Sequence, residues 1–189
     1  FSVLCSALNA AELKFWSKQG NCSEILMPAK PDPREKEAAM LLEKSFLAMG
    51  NGTFRKKLAV PKVSIHIGNT EQGKKLIASA GKIDPDGFII HAPDSRNLII
   101  AGGGPLGTLF GVMEFLERYA GAMWVWPGEY GTVMPIKETF AADVKFQREE
   151  PAFRIRQLGV DASMAHFLRF AIRNTSDERA QYSHNINKT

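Results

Sequence analysis

Apolar and polar residues alternate in several short segments of the chain, and these segments predict strands. In residues 62–67 every second residue is apolar, as in a strand that buries one face, and His66 is expected on the solvent side. Two apolar runs flank the turn-forming residues 93–97, a pattern that predicts a β-hairpin. The strands are therefore predicted at 24–27, 62–67, 88–90, 98–100 and 123–126.

Three helices are predicted between these strands. Asp32 is followed by Pro33 and Glu35, the pattern of an N-cap, a proline in the first turn and a capping box. Apolar residues then recur at helical spacing until Gly50 ends the helix. The other two helices are predicted from the cap Asn69-Thr70 through Ala80, and from about Pro105 to Tyr119.

The predicted order is β-α-β-α-β-β-α-β, which indicates an α+β fold with a mixed sheet and helices packed on it. Residues 12–147 form this predicted domain. The charged end at 148–151 predicts a boundary, and residues 151–189 begin a second domain with a strand at 153–160 and a helix at 164–173.

Composition and charge exclude some classes of protein. The chain has 189 residues, 44% of them hydrophobic, and a formal net charge of +4. Its basic residues are scattered, whereas a nucleic-acid-binding protein concentrates them on one face. No apolar run reaches the roughly 20 residues of a membrane span. The sequence therefore predicts a globular protein that does not bind nucleic acid and has no membrane-spanning segment.

The N-terminal residues 1–11 are apolar and uncharged, and they are similar to the end of a signal peptide. The alternatives are an N-terminal tail or a first strand. Cys5 and Cys22 could form a disulfide in an oxidising compartment, or remain two buried thiols. Export is the favoured expectation, which places the protein outside the cell, in a periplasm or at the cell surface.

Residues 102–107, Gly-Gly-Gly-Pro-Leu-Gly, fit the glycine pattern of dinucleotide-binding loops. Pro105 removes one N–H group, however, and the preceding strand belongs to a hairpin. The glycines are therefore interpreted as sites of tight packing between helix and strand. The four histidines have no spacing typical of a metal site, and no cofactor is predicted.

Two other groups of residues are candidate sites. Glu114 and Glu117 lie off the apolar stripe of the third helix and near Arg118, which favours solvated ion pairs over a catalytic pair. Trp124 and Trp126 point to the same side of one strand, where two indole rings could stack on sugar rings. Burial of both rings is the commoner arrangement.

Residues 86–135 carry a recognisable series of motifs. The series runs in order through Asp86 to Ile90, Asn97 to Gly103, Gly107 to Val112, Trp124 to Pro127 and Glu129 to Pro135. The series resembles the N-terminal accessory domain that precedes the catalytic barrel in several glycoside hydrolases, including β-N-acetylhexosaminidases and α-glucuronidases. The resemblance covers roughly residues 20–147. It implies a mixed α/β domain without catalytic residues of its own.

The segment from Pro151 to Ser163 is similar to the first barrel strand of the hexosaminidases. That similarity implies that Arg156 binds sugar hydroxyls and that Asp161 orders the same edge of the site. The family pattern is broken at Gln157, which occupies a glycine position. On this basis residues 151–189 are the first β/α unit of a TIM barrel, and the catalytic carboxylates lie beyond Thr189.

These observations support one leading hypothesis and one alternative. In the first, the chain is a non-catalytic accessory domain of a secreted glycoside hydrolase, and its partners are the catalytic barrel and a carbohydrate. In the second, the chain is a stand-alone carbohydrate-binding module that uses the Trp124 and Trp126 surface. The candidate substrate-binding residues are Arg156, Asp161, Trp124 and Trp126.

Overall fold

The computed structural model describes residues 11–50, 62–125 and 129–152. These residues fall into two compact units, the first comprising 11–50, 62–122 and 134–151, and the second comprising 123–125, 129–133 and 152. The strands are β1 (Ala11–Ser17), β2 (Gly20–Asn21), β3 (Ser23–Leu26), β4 (Val63–Ile67), β5 (Phe88–Asp94), β6 (Asn97–Gly102), β7 (Met123–Trp124), β8 (Thr132–Val133), β9 (Phe140–Val144) and β10 (Gln147–Glu149). The α-helices are α1 (Pro33–Met49), α2 (Glu71–Ala80) and α3 (Pro105–Phe115).

The first unit is built on a five-stranded mixed sheet in the order β10-β5-β6-β4-β3. Strand β4 runs parallel to both β3 and β6, whereas β5 is antiparallel to β6 and to β10. Helix α1 packs against α3, α3 contacts β5 and β6, and α2 contacts β4 and β6. The predicted mixed α/β class is therefore confirmed. Five strands that the predicted order lacks, β1, β2, β8, β9 and β10, are present in addition.

A second, three-stranded sheet has the order β2-β1-β9 and carries a cluster of aromatic side chains. Phe15 lies at the centre of this aromatic cluster. Its ring centroid is 5.6 Å from that of Phe46, 5.6 Å from that of Phe115 and 5.0 Å from that of Phe140. All four rings are buried. Because these residues come from β1, α1, α3 and β9, the cluster holds four elements together through burial of apolar surface.

Strand β1 begins at the last residue of the segment for which the end of an export signal is predicted. Ala11, the last residue of the expected tail, is the first residue of β1 and pairs with Val144. The side chains of Leu13, Phe15 and Trp16 are fully or almost fully buried. Residues 1–10, including Cys5, lie outside the described residues. The possible disulfide between Cys5 and Cys22 therefore stays a prediction. Cys22 is buried, with its thiol 3.6 Å from the carbonyl oxygen of Gly20.

The predicted helix caps are confirmed. Asp32 accepts a hydrogen bond from the backbone N–H of Arg34 at 2.9 Å, and Glu35 accepts one from the N–H of Asp32 at 2.9 Å. Together they form the capping box of α1. Thr70 caps α2 by accepting from the N–H of Gly73 at 3.1 Å. Each cap uses short-range contacts, which explains why the sequence pattern predicted it.

The third helix differs from its predicted bounds. Helix α3 ends at Phe115 and continues as a π-helical turn, Leu116–Ala120, that closes at Gly121 with a φ of 78°. The predicted final strand at 123–126 is shorter in the described residues, where β7 covers Met123–Trp124 and pairs with β8.

His66 was expected on the solvent side of its strand, and this expectation is wrong. The residue is 6% exposed. Strand β4 lies inside the sheet, between β3 and β6, and α2 also contacts it. The alternation of apolar and polar residues predicted a strand with one buried face, whereas the fold covers both faces of β4.

The partly buried ring of His91 predicts a pH dependence of stability. It packs edge-on against Phe146, with centroids 5.5 Å apart, and its Nδ1 has no hydrogen-bond partner among the described residues. Burial lowers the pKa of His91 below its ordinary 6.5. Because the unfolded chain then binds the proton more tightly, this contribution is complete above about pH 6.5 and is lost as pH falls toward the folded-state pKa.

We therefore expect urea unfolding at pH 5.5 and 7.5 to show a smaller pH effect in His91→Phe than in the natural chain. The variant retains an aromatic ring against Phe146 but cannot titrate. An equal loss of stability on acidification in both proteins would contradict the assignment to His91.

Candidate functional site

The predicted sugar-binding residues are only partly within the described chain. Trp124 lies on β7 and is 5% exposed, so its ring faces are not open to solvent. Its Nε1 is buried and has no hydrogen-bond partner among the described residues. Trp126, Arg156 and Asp161 lie outside the described residues. The Trp124 and Trp126 surface and the two barrel residues therefore stay predictions.

The neighbours of Trp124 in the second unit are exposed instead. We call the side chains of Met123, Val125, Tyr130 and Val133 the hairpin surface, because they lie on or beside β7 and β8. Val125 is 67% exposed and Tyr130 is completely exposed. The N–H of Val125 donates to the carbonyl oxygen of Gly131 at 2.7 Å. Sequence reasoning missed this surface because it concentrated on the tryptophans.

The glycine-rich loop joins β6 to α3, where its glycines pack against backbone. A Cβ on Gly103 would clash with the carbonyl oxygen of Asp84, and one on Gly107 would clash with that of Gly87. The N–H of Gly103 donates to the carbonyl oxygen of Gly87 at 2.9 Å. The turn at 84–87 therefore covers the loop. This geometry supports the packing interpretation of the glycines.

Gly103→Ala is therefore expected to destabilise the chain by about 1–3 kcal/mol, since the new methyl group meets backbone that cannot move aside cheaply. Urea unfolding followed by circular dichroism measures the effect. Ser95→Ala, in the exposed hairpin turn, is the control and should change stability by less than about 0.5 kcal/mol. Equal stability of the two variants would contradict the packing interpretation.

A cleft opens at the carboxyl ends of the parallel strands β3 and β4, with a volume of about 790 Å³. We call it the β3–β4 cleft. It is an open cleft lined by the loop after β3, the end of β4 and the start of α2. Ligands of open α/β sheets commonly bind at the carboxyl ends of strands. Its lining includes Met27, Pro28, Lys30, His66, Asn69 and Lys74.

Glu35 fixes two of the loops beside the cleft. It is 2% exposed, and its two carboxylate oxygens accept from the N–H of Asp32 at 2.9 Å and the N–H of Asn69 at 2.8 Å. Gly68 adopts a φ of 69°, and a Cβ there would clash with the Glu35 carboxylate. The start of α1 and the loop before α2 are thereby held together by one buried side chain.

His66 contributes a buried imidazole to the cleft. Its Nε2 lies 3.3 Å from the side-chain oxygen of Asn97. The amide nitrogen of Asn97 donates in turn to both carboxylate oxygens of Asp94, at 3.1 and 2.9 Å. This chain of hydrogen bonds orients the ring, so His66 offers a fixed surface to a ligand.

The charged groups of the cleft are exposed. Lys74 and Glu71 form an ion pair at 3.4 Å, with 60% and 78% of their side chains exposed, and such pairs contribute little energy. Lys30 is also exposed. The cleft therefore has two ammonium groups and one carboxylate, an arrangement suited to binding and not to acid–base catalysis by paired carboxylates.

Glu114 belongs to an ion-pair group that joins α3 and the following π-helical turn to β10. Glu114 binds Arg118 at 2.6 Å and accepts from the amide of Gln147 at 3.1 Å, and Arg118 also reaches Glu149 at 3.3 Å. Burial, and then the charge of Glu114, raises the pKa of Glu117. The predicted ion pairing with Arg118 is present for Glu114, whose side chain is only 20% exposed and is therefore less solvated than expected.

Two kinds of feature are absent from the described ranges. No group of three or more His, Cys, Asp or Glu side chains there is arranged to hold a metal ion. No described helix combines the length and the apolar character that a membrane crossing requires.

Sequence reasoning missed the β3–β4 cleft, although a signal was present. Both β3 and β4 were predicted, and each is followed by loop residues and a helix cap at Asp32 or Thr70. Two strand–loop–cap patterns in succession indicate parallel strands whose carboxyl ends meet at one edge. Lys30 and Asn69 could have been placed together on that argument.

The chain was compared with known proteins. No family model and no curated protein matches it. A solved family GH115 4-O-methyl-α-glucuronidase with specificity for decorated arabinogalactans is 18% identical over 87% of this chain, with a TM-score of 0.58. The chitobiase of Flavobacterium johnsoniae, of family GH20, is 15% identical over 89% of this chain, with a TM-score of 0.51. The chain spans about 25% of the length of each, so it shares a fold with part of two larger glycoside hydrolases.

Proposed function

We propose that this chain is the non-catalytic N-terminal accessory domain of a secreted glycoside hydrolase and that it scaffolds the catalytic barrel. The observation that carries the proposal is the shared fold, in which 87% and 89% of this chain correspond to about a quarter of two glycoside hydrolases. Motifs in residues 86–135 independently resemble the same kind of domain. Fold alone does not determine a reaction, so the proposed role is structural.

In this proposal the chain has the two domains that its sequence predicts. Residues 12–147 form the accessory domain, and 151–189 begin the TIM barrel. Arg156 would hold sugar hydroxyls through its planar guanidinium group, and Asp161 would order that edge of the barrel site. The catalytic carboxylates would lie on later barrel strands. Residues 1–11 would include the end of an export signal, although Ala11 itself belongs to β1.

The hairpin surface supports a scaffold role. It exposes Val125 and Tyr130, with Met123 and Val133 about half exposed. Grouped apolar side chains at a protein surface are typical of regions that pack against other protein. An accessory domain needs such a surface to stabilise a neighbouring domain.

Two measurements test this function. The 189-residue chain alone should release no nitrophenol above the blank from a panel of nitrophenyl glycosides. The natural polypeptide should be much heavier than 20.9 kDa by mass spectrometry and should hydrolyse a glycoside. Hydrolysis by the chain alone, or a natural polypeptide that ends at Thr189, would overturn the proposal.

The alternative is a stand-alone carbohydrate-binding module. It needs an open indole face at Trp124, which is 5% exposed. Titration of tryptophan fluorescence with neutral oligosaccharides distinguishes the two functions. We expect no change of emission, and a saturable change that is lost in Trp124→Ala would favour the module.

A further inference from the structure

The β3–β4 cleft has the size and construction of a ligand site. Its volume of about 790 Å³ lies in the range of roughly 300–1,000 Å³ that is typical of ligand pockets. Its lining residues belong to the first unit. They are distant in sequence from Trp124, Trp126 and the predicted barrel residues. We propose that this cleft binds an acidic saccharide. The saccharide class rests on the proposed function, whereas the preference for a carboxylate rests on the cleft itself.

The charges that line the cleft favour an anion. Lys30 and Lys74 contribute two ammonium groups, and Glu71 contributes the single carboxylate. The Lys74–Glu71 pair is solvated and 3.4 Å long, so a ligand carboxylate can compete with Glu71 for Lys74. A net positive lining attracts anionic ligands and repels cationic ones.

The other lining residues favour a sugar over a small inorganic anion. Leu26, Met27 and Pro28 form an apolar side, and Met27 is 44% exposed. The carbon face of a sugar ring can pack on such a side. Asn69 and Gln72 add amide groups that can donate to hydroxyls and accept from them. Phosphate would use the lysines but leave the apolar side without a contact.

The cleft is held in shape before a ligand arrives. Glu35 joins the N–H groups of Asp32 and Asn69, and Asn97 orients His66. A site whose loops are already ordered loses less conformational entropy on binding. The volume exceeds what one carboxylate would fill, which leaves room for the sugar that carries it.

The test titrates the ¹⁵N-labelled 189-residue chain with trigalacturonate, neutral galactotriose and inorganic phosphate at low ionic strength. Trigalacturonate should shift the amide resonances of Asn69, Glu71 and Gln72 and bind at least about tenfold more tightly than either other probe. Lys74→Ala should weaken binding several-fold. Lys75→Ala is the matched control, because Lys75 neighbours Lys74 on α2 but does not line the cleft.

Any one of three titration results would overturn the proposal. They are no shift at the cleft amides with millimolar trigalacturonate, equal affinity for galactotriose, and equal affinity for phosphate. Equal losses in Lys74→Ala and Lys75→Ala would also overturn it, since binding would then follow total charge. The scaffold role is measured by hydrolysis and inactivation of the natural polypeptide, so failure of either proposal is recognisable without the other.

Discussion

Phe15→Ala is expected to destabilise the first unit by about 3–5 kcal/mol, the usual cost of removing a fully buried phenylalanine. The ring contacts Phe46, Phe115 and Phe140, and the cavity would open among β1, α1, α3 and β9. Urea unfolding followed by circular dichroism measures the loss. For a chain of this size we expect the melting temperature to fall by roughly 6–20 °C.

Phe146→Ala provides the matched control. Phe146 is 42% exposed. Among the described residues, the aromatic ring that it packs against is that of His91. Its truncation should cost less than about 1.5 kcal/mol, because a half-exposed ring loses little burial and leaves no closed cavity. If Phe15→Ala and Phe146→Ala lowered the free energy of unfolding equally, the aromatic cluster would not be the core that we describe.

Glu35→Ala is expected to cost about 2–4 kcal/mol, because it leaves two backbone N–H groups without their acceptor. It removes the capping box of α1 and the link from Asp32 to Asn69 in one step. Hydrogen exchange should show faster exchange at the Asn69 amide than the global loss of stability explains. The same variant should weaken ligand binding in the β3–β4 cleft, whose loops it loosens.

Glu43→Ala is the control for this change. Glu43 is an exposed residue of the same helix, so its replacement should alter stability by less than about 0.5 kcal/mol. Unchanged protection of the Asn69 amide in Glu35→Ala would contradict the role that we give to Glu35.

The sequence predicted the elements whose signals are local. The capping box at Asp32 and Glu35, the Thr70 cap and the hairpin around residues 93–97 each depend on neighbouring residues, and all are present. Strand β1 was missed because its partner β9 lies more than a hundred residues away, with Ala11 opposite Val144. Nothing near residue 11 indicates that pairing.

The candidate site was less predictable than the fold. Sequence patterns directed attention to Trp124, which is buried, and away from His66, which lines the cleft. The error at His66 has one cause: alternation describes one strand, whereas burial depends on which strands lie beside it. Lys30 and Lys74 are 44 positions apart in the sequence. They line the same cleft because β3 and β4 are adjacent and parallel.

The central claim is that residues 12–147 support the catalytic barrel of a larger glycoside hydrolase. Its most direct test is thermal inactivation of hydrolysis in the natural polypeptide, with and without Phe15→Ala. We predict that the inactivation temperature falls by about as much as the melting temperature of the accessory domain, while KM below that temperature is unchanged. Hydrolysis that persists at temperatures where the variant domain has unfolded would contradict the claim.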